Sequence, residues 1–310
     1  MTVWAGPEAS IASVLPMSDS HLHLHPHEPW EGSPPPGEYP DGHIEAYVET
    51  AAARGVHHLG FTEHLYRCVE SADVLGEFWA QEPDERLAGH TASFVEADRT
   101  LSLATYVDAV IAAKDRGLPV ALGLEVDFFP ESIEAVLELI EPYPWDFLVG
   151  SVHWIGGWSV DSSEVAWEYE RRGVDRAWEE YFALEALLAR SGAVDVLAHV
   201  DLPKKYGYRP TTERLDLYRP VVDGAAATCS AVEISSQGLR NPAAEVYPSP
   251  TLLGMFAAAG VPVTLASDGH RPEDAAHGVS EVVAAARVAG YRTHLRFDRR
   301  RRAEVPLPEV

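Results

Sequence analysis

The chain has 310 residues, 46% hydrophobic and 23% charged, the composition of a soluble globular protein long enough to bury a large core. Asp and Glu number 48 against 24 Lys and Arg, and the net charge of −24 repels nucleic-acid backbones and anionic lipid. It also disfavours anionic small substrates unless fixed cations such as metal ions reverse the sign locally.

The two cysteines, Cys68 and Cys229, make no disulfide framework and no CxxC site, which points to a reducing cytoplasm. The amino-terminal MTVWAGPEASIASVLPM has neither the basic start nor the apolar run of a signal peptide, and no run of ~20 apolar residues offers a membrane span.

In chain order, candidate strands are HLHL (21–24), HHLGFT (57–62), PVALGLEV (119–126), DFLVGSV (146–152), DVLAHV (195–200), AVEISS (231–236) and PVTLAS (262–267). Amphipathic helical patterns separate them, and several end in Gly just before the next strand, as at Gly192, Gly260 and Gly290. This alternation argues for parallel βα units in an open sheet or a closed barrel. A last helix, VSEVVAAARVAG, precedes YRTHLRF, a candidate closing strand. Two segments break the rhythm: the Pro/Gly-rich loop 29–42, and residues 66–100, a long insertion that reads as a partial lid or substrate wall. The run RRRR at 299–302 reads as a solvated patch beyond the last helix.

The strands end in polar groups. His21 and His23 share a face of the first, because strand side chains alternate. Later ends bring Glu63-His64, Glu125 with Asp127, His153, His199 with Asp201, Ser235 to Arg240, and Asp268 to His270. In parallel βα folds that edge gathers the active-site loops. A lone H-x-H is more often a satisfied polar pair than a ligand pair. Seven buried strand ends filled with unpaired acids and imidazoles, however, would carry a heavy desolvation cost. Divalent zinc, manganese or iron removes that cost, and the ligand number suits two or three ions with a carboxylate bridging a pair.

The motifs DSHLH (19–23), FTEH (61–64), GLEVDF (123–128), GSVHWIGGW (150–158), AHVDLPKKYG (198–207), SSQGLRNPAAEVYPSP (235–250) and SDGHRPED (267–274) carry a resemblance. In these residues and their order the sequence resembles the polymerase and histidinol phosphatase (PHP) family, more closely its histidinol-phosphatase branch. The resemblance implies a distorted (β/α)7 TIM-like barrel with a trinuclear metal site at the carboxyl ends of the strands. Residues 1–310 would form one such domain, with 1–18 an amino-terminal extension, 66–100 an insertion or lid, and 298–310 a carboxyl-terminal tail.

Carried over by motif, His21, His23 and Asp268 would hold a first ion, and Glu125 would bridge it to a second completed by His153 and His199. His64 and His270 would hold a third, together with a ligand from the loop after H-x-H. Relatives often have a histidine six residues past the second His of that motif, where this chain has Pro29. His27 is the nearest substitute, with Glu28, His25 and His43 as competitors.

A hydroxide bridging two such ions is a strong nucleophile, since metals lower the pKa of bound water from about 15.7 to about 7. It would attack a small phosphomonoester in line, by resemblance L-histidinol phosphate. The alternatives are a different phosphate ester, or a metal-binding scaffold without turnover. Arg240, Lys204 and Lys205 are the cations chosen for the phosphate. The leaving group would take its proton from a metal-bound water, His270 or an acid such as Glu63, with Asp268 beside them. Trp154, Trp158, Tyr206, Phe78 and Trp79 are candidates for the wall around the organic part.

Overall fold

The computed structural model describes residues 16–27 and 29–309. The first four strands are β1 (Ser18–Leu22), β2 (His58–Phe61), β3 (Val120–Asp127) and β4 (Phe147–Ser151). A short antiparallel hairpin of β5 (Trp154–Ile155) and β6 (Trp158–Ser159) follows, and then β7 (Val196–Leu197), β8 (Ala231–Ser235) and β9 (Val263–Ala266). Seven of these form one parallel sheet in the order β1-β2-β3-β4-β7-β8-β9. Its two edges meet. The Asp268 amide donates to the His21 carbonyl and the His23 amide to the Gly269 carbonyl, each at 2.9 Å, so the sheet curls into a TIM-like barrel. Asp19 fastens the seam by accepting the amides of Ser267 (2.9 Å) and Ala276 (2.8 Å).

Helices fill the crossovers. They are α1 (His43–Ala53), α2 (Ala72–Leu75), α3 (Glu85–Asp98), α4 (Leu103–Asp115), α5 (Ile133–Ile140), α6 (Glu168–Arg172), α7 (Val174–Ser191), α8 (Leu215–Thr228), α9 (Pro250–Ala258) and α10 (Val279–Ala289). Their apolar faces pack on the outside of the barrel, burying residues such as Leu103, Val110, Val136, Phe182 and Leu252. The 66–100 insertion carries α2 and α3, with Trp79 and Leu87 buried and Thr91 donating to the Gly157 carbonyl at 2.7 Å.

A second, smaller core lies inside the barrel, built by alternate strand residues: Ala121, Phe147, Val149, Val196, Ala198 and Ala231. Phe147 fills the lumen only because Gly60 and Gly123 face it. A Cβ on either would come within 2.6 and 2.8 Å of the Phe147 ring tip, closer than carbon atoms can pack.

The segment expected to supply a closing strand does something else. β10 (Thr293–Asp298) pairs antiparallel with β11 (Arg301–Pro306), and this hairpin plugs the amino end of the barrel with Leu295 and Phe297, the latter stacked on Phe147 at 5.6 Å. The basic run spans the turn of that hairpin (Arg299, Arg300) and the start of β11 (Arg301, Arg302); all four side chains are exposed, a solvated patch as expected, but the segment beyond is paired rather than a free tail. The Arg299 amide donates to Asp146 at 2.9 Å and Arg300 pairs with Asp195 at 2.8 Å. Among the described residues no helix is long and apolar enough to cross a membrane.

Candidate metal centre

Above the Phe147 layer the inward positions turn from apolar to ionisable. On β3 the alternation that sends Ala121 inward also sends Glu125 and Asp127 inward, two and three steps higher. Glu125, fully buried, becomes the hub. Its Oε2 lies 2.6 Å from His64 Nδ1, 3.4 Å from His21 Nε2 and 3.6 Å from His23 Nε2. Its Oε1 lies 3.2 Å from His199 Nε2 and 3.4 Å from His153 Nε2. On the other side Asp268 Oδ1 stands 3.4 Å from His23 Nε2 and 3.7 Å from His270 Nδ1.

Three tight groups can be drawn, each with ligand atoms within 4.8 Å of one another: His21, His23 and Asp268; His64, Glu125 and His153; His23, His64 and His270. Many of these atoms are buried with no hydrogen-bond partner among the described residues: both nitrogens of His64, His270 Nε2, His23 Nδ1, His199 Nδ1 and Glu125 Oε2. His64 and Glu125 approach to 2.6 Å without the alignment of a hydrogen bond. Orphaned polar atoms at this density are costly in a folded interior unless cations sit between them, so the residues present fit divalent metal ions. The donor set, imidazole nitrogens and carboxylate oxygens without thiolates, suits divalent first-row metals in general.

The electrostatics divide the cluster: the carboxylates are held ionised, His64 and His270 neutral, while the same carboxylates raise His21, His23 and His153 against burial. Burial would raise the Glu125 carboxyl, but the imidazoles of His64, His21 and His153 hold it well below its ordinary range. Asp268 is likewise held low, against burial, by His21, His23 and His270. Burial lowers His64 to about 3 and, with the nearby His23 and His27 imidazoles, drives His270 well below its usual value, leaving both neutral. Burial also acts to lower His153, yet Glu125 and Asp127 override it and raise it to about 9. The backbone is strained in the same place: His199 (φ 20°) and Asp268 (φ 50°) adopt left-handed conformations, at a cost of about 1–3 kcal/mol each.

A ring of supporting groups orients these side chains. Glu233, on β8, takes His21 Nδ1 at 2.8 Å with Oε2 and the His199 amide at 3.0 Å with Oε1. Asp127 takes His153 Nδ1 at 2.9 Å, and Gln237 Nε2 donates to Asp268 Oδ2 at 2.6 Å. These contacts fix which ring nitrogen faces the centre. Sequence reasoning missed Glu233 and Gln237. The one available signal was a lone acid in the apolar strand AVEIS, at an inward position.

Several chosen residues stand elsewhere than expected. Glu63 is fully buried and its Oε1 accepts the amides of Leu24 (2.7 Å) and His25 (2.9 Å), so it shapes the loop after H-x-H and is not placed to protonate a leaving group. Lys204 is also fully buried, its Nζ held by Asp201 (2.8 Å), Glu245 (2.9 Å) and the Val246 carbonyl (2.8 Å), and cannot reach a phosphate. Arg240 donates to the carbonyls of Ser267 and Asp268, both at 2.8 Å, and so braces the Asp268 turn. Arg240 Nη1 has no partner among the described residues, and Lys205 is ion-paired, with Nζ 3.3 Å from Asp161, beside Tyr206. Trp154 and Trp158 are core residues. Trp154 packs against Tyr66, Phe78 and Phe129, and Trp158 against Tyr169.

Around the H-x-H loop, His25 turns away to Gly37 and Glu38, and His43 donates to the Leu24 carbonyl at 2.8 Å. Glu28 lies outside the described residues. His27 stands at the mouth, just outside the three tight groups, with its ring centre 4.9 Å from that of His270 and 5.1 Å from that of His64.

The PHP domain is matched over residues 37–234, more than half of the chain. The ends of β1 and β9, with His21, His23 and Asp268, lie outside that stretch, yet the barrel seam brings them onto it. A protein of Deinococcus radiodurans described as a probable histidinol-phosphatase is 37% identical over 176 residues, 57% of this chain and 67% of the relative. One of Schizosaccharomyces pombe with the same description is 24% identical over 243 residues, 74% of this chain and 76% of its own. The structure of a histidinol phosphate phosphatase from Lactococcus lactis, complexed with zinc, L-histidinol and phosphate, superposes with a TM-score of 0.68 at 20% identity. The match covers 93% of this chain and 98% of that one, and at this identity it establishes the shared fold. By its matched domain, its barrel and its relatives, the chain belongs to the PHP-domain family, on the histidinol-phosphatase side.

Proposed function

We propose that the protein hydrolyses L-histidinol phosphate to L-histidinol and phosphate, with two or three divalent ions, zinc among the candidates, held where the barrel strands end. The observation that carries this reading is Glu125, a buried carboxylate whose two oxygens face the nitrogens of five histidines in contacts of 2.6–3.6 Å. The names of the curated relatives, and the zinc, histidinol and phosphate of the Lactococcus lactis protein, support the choice of substrate and metal.

Bound ions would supply a water of pKa about 7 and neutralise charge on the phosphoryl oxygens. The chain's own residues set the rest. Glu125 and Asp268, ionised, and His64 and His270, neutral, are in the form a metal takes. His270 enters as a ligand. Lys205 offers the cleft a cation for the phosphate, and Tyr206 stands beside it. The acid excess of the chain, with Asp161 near this wall, suits a substrate whose organic part carries an ammonium and an imidazole. The cysteines, both free, support a cytoplasmic place of work.

Phosphate release across a panel of monoesters tests the reading. L-Histidinol phosphate should exceed every other ester in kcat/KM by at least about tenfold, the worth of one or two well-made polar contacts. Equal rates across the panel would make the protein a generalist phosphoesterase. Bound metal without release from any ester would make it a scaffold.

A further inference from the structure

The 66–100 insertion carries one carboxylate to the edge of the metal centre, that of Asp98, the last residue of α3, beside Tyr66 and Phe94 of the same segment. Asp98 Oδ2 lies 3.0 Å from His27 Nδ1 and accepts the Tyr66 hydroxyl at 2.7 Å, while Oδ1 pairs with the buried Arg67 at 3.1 Å. Arg67 in turn donates to the carbonyls of His25 (2.8 Å) and Pro26 (3.0 Å), so one guanidinium ties the insertion to the backbone leading into His27. His27 is 36% exposed, and an imidazole that open would sample several rotamers without a partner.

We propose that Asp98 is the positioning residue for His27 as a ligand of the outermost ion, so that the insertion builds part of the metal centre as well as covering it. This rests on the three-ion form of the proposed function. With Nδ1–H donated to Asp98, His27 keeps Nε2 as its free nitrogen, on a ring 4.9 Å from the ring of His270 and 5.1 Å from that of His64. Those two histidines carry Nε2 atoms with no partner among the described residues. The carboxylate fixes the tautomer and ring plane and makes Nε2 a stronger donor to a metal. A purely structural Asp98 would serve only as counterion to Arg67, and the shared Oδ2 contact with His27 and Tyr66 would then be incidental.

The test reads zinc as well as turnover. Protein reconstituted with Zn2+ is dialysed against a weak chelator and its ions per chain are counted. In Asp98→Asn the outermost ion should bind about 10–100-fold more weakly while the other two stay, with Asp98→Glu recovering part of the loss. In a double-mutant cycle, His27→Ala/Asp98→Asn should lose no more than His27→Ala alone. Three ions held at wild-type tightness in Asp98→Asn overturn the inference, as does a double variant clearly worse than His27→Ala. Should Asp98→Asn not fold, 15N NMR of the zinc-loaded wild type decides: His27 must be the Nδ1–H tautomer with Nε2 on the metal, and an unligated ring refutes it. A wild type that holds only two ions overturns the three-ion reading and this inference with it, whereas three ions with an indifferent Asp98 overturn the inference alone.

Discussion

The two ends of the barrel are made from the same strands and solve opposite problems. At the amino end, Leu295 and Phe297 of the terminal hairpin close the lumen over Phe147 and Val149, and the carboxylates there are fully engaged. Asp146 takes Lys114 at 2.5 Å and the Leu122 amide at 2.7 Å, and Asp195 takes the Leu148 amide at 2.7 Å and Arg300 at 2.8 Å. At the carboxyl end, only a few residues further along the same strands, Glu125 and six imidazoles converge with several atoms left unpartnered. Burial is equal at the two ends, so it does not separate scaffold from site. What separates them is how many buried polar atoms go without a partner among the described residues: His294 Nε2 in the floor hairpin, against a whole cluster of imidazole and carboxylate atoms at the mouth.

The sharpest way to break this comparison is to damage each end in turn. Asp268→Asn should lower kcat by about a thousandfold or more, the several kcal/mol that a metal contributes to the transition state, with little change in melting temperature. Phe297→Ala should do the reverse, costing about 3–5 kcal/mol of stability by opening a cavity under the barrel while kcat in the folded protein stays the same. A Phe297→Ala variant that loses turnover before it loses fold would erase the distinction.

Glu233→Gln probes the layer between the ends. It removes the carboxylate that orients His21 and should weaken metal binding or activity about 10–100-fold, short of the loss from a ligand itself. Loss equal to that of His21→Ala would make Glu233 a ligand.

The smallest effect concerns Glu185 on α7, a buried acid that is not satisfied by an opposite charge. Burial raises it to about 8, and among the described residues only the Tyr181 hydroxyl donates to it, at 2.8 Å. Because the folded state holds this proton more tightly than the unfolded chain, its contribution is present below the ordinary carboxyl range near 4.5 and is lost as pH rises through 8. Glu185→Gln should therefore be more stable than wild type at pH 9, by on the order of 2 kcal/mol, and indistinguishable from it at pH 4. Denaturation curves at the two pH values decide it, and an equal offset at both would assign the effect to packing.

Much of the clustering at the mouth was legible because histidines and acids recur at strand ends, where period-two alternation says which way they face. His21, His23, Glu125, His153, His199 and Asp268 could be read that way. The supporting groups could not. Glu233 meets His21 across the barrel seam, from the next strand but one, and no local pattern links residues 212 positions apart. The adjacent Lys204 and Lys205 were indistinguishable in sequence, and the turn after β7 sends the first inward to Asp201 and the second to Asp161. The floor hairpin hid behind RRRR, whose charges suggested solvent although the flanking residues alternate in and out like any half-buried strand. The insertion read as a partial lid or substrate wall because the contacts of Asp98, with His27, Tyr66 and Arg67, join residues more than 30 positions apart.

The metal count per chain tests the central claim most directly. Purified protein, reloaded with Zn2+ or Mn2+ and freed of excess, should carry two or three ions by elemental analysis. Stripping them with a chelator should abolish phosphate release from L-histidinol phosphate, and re-addition should restore it. Fewer than two ions per chain after reloading, or undiminished release from the stripped protein, would contradict the account.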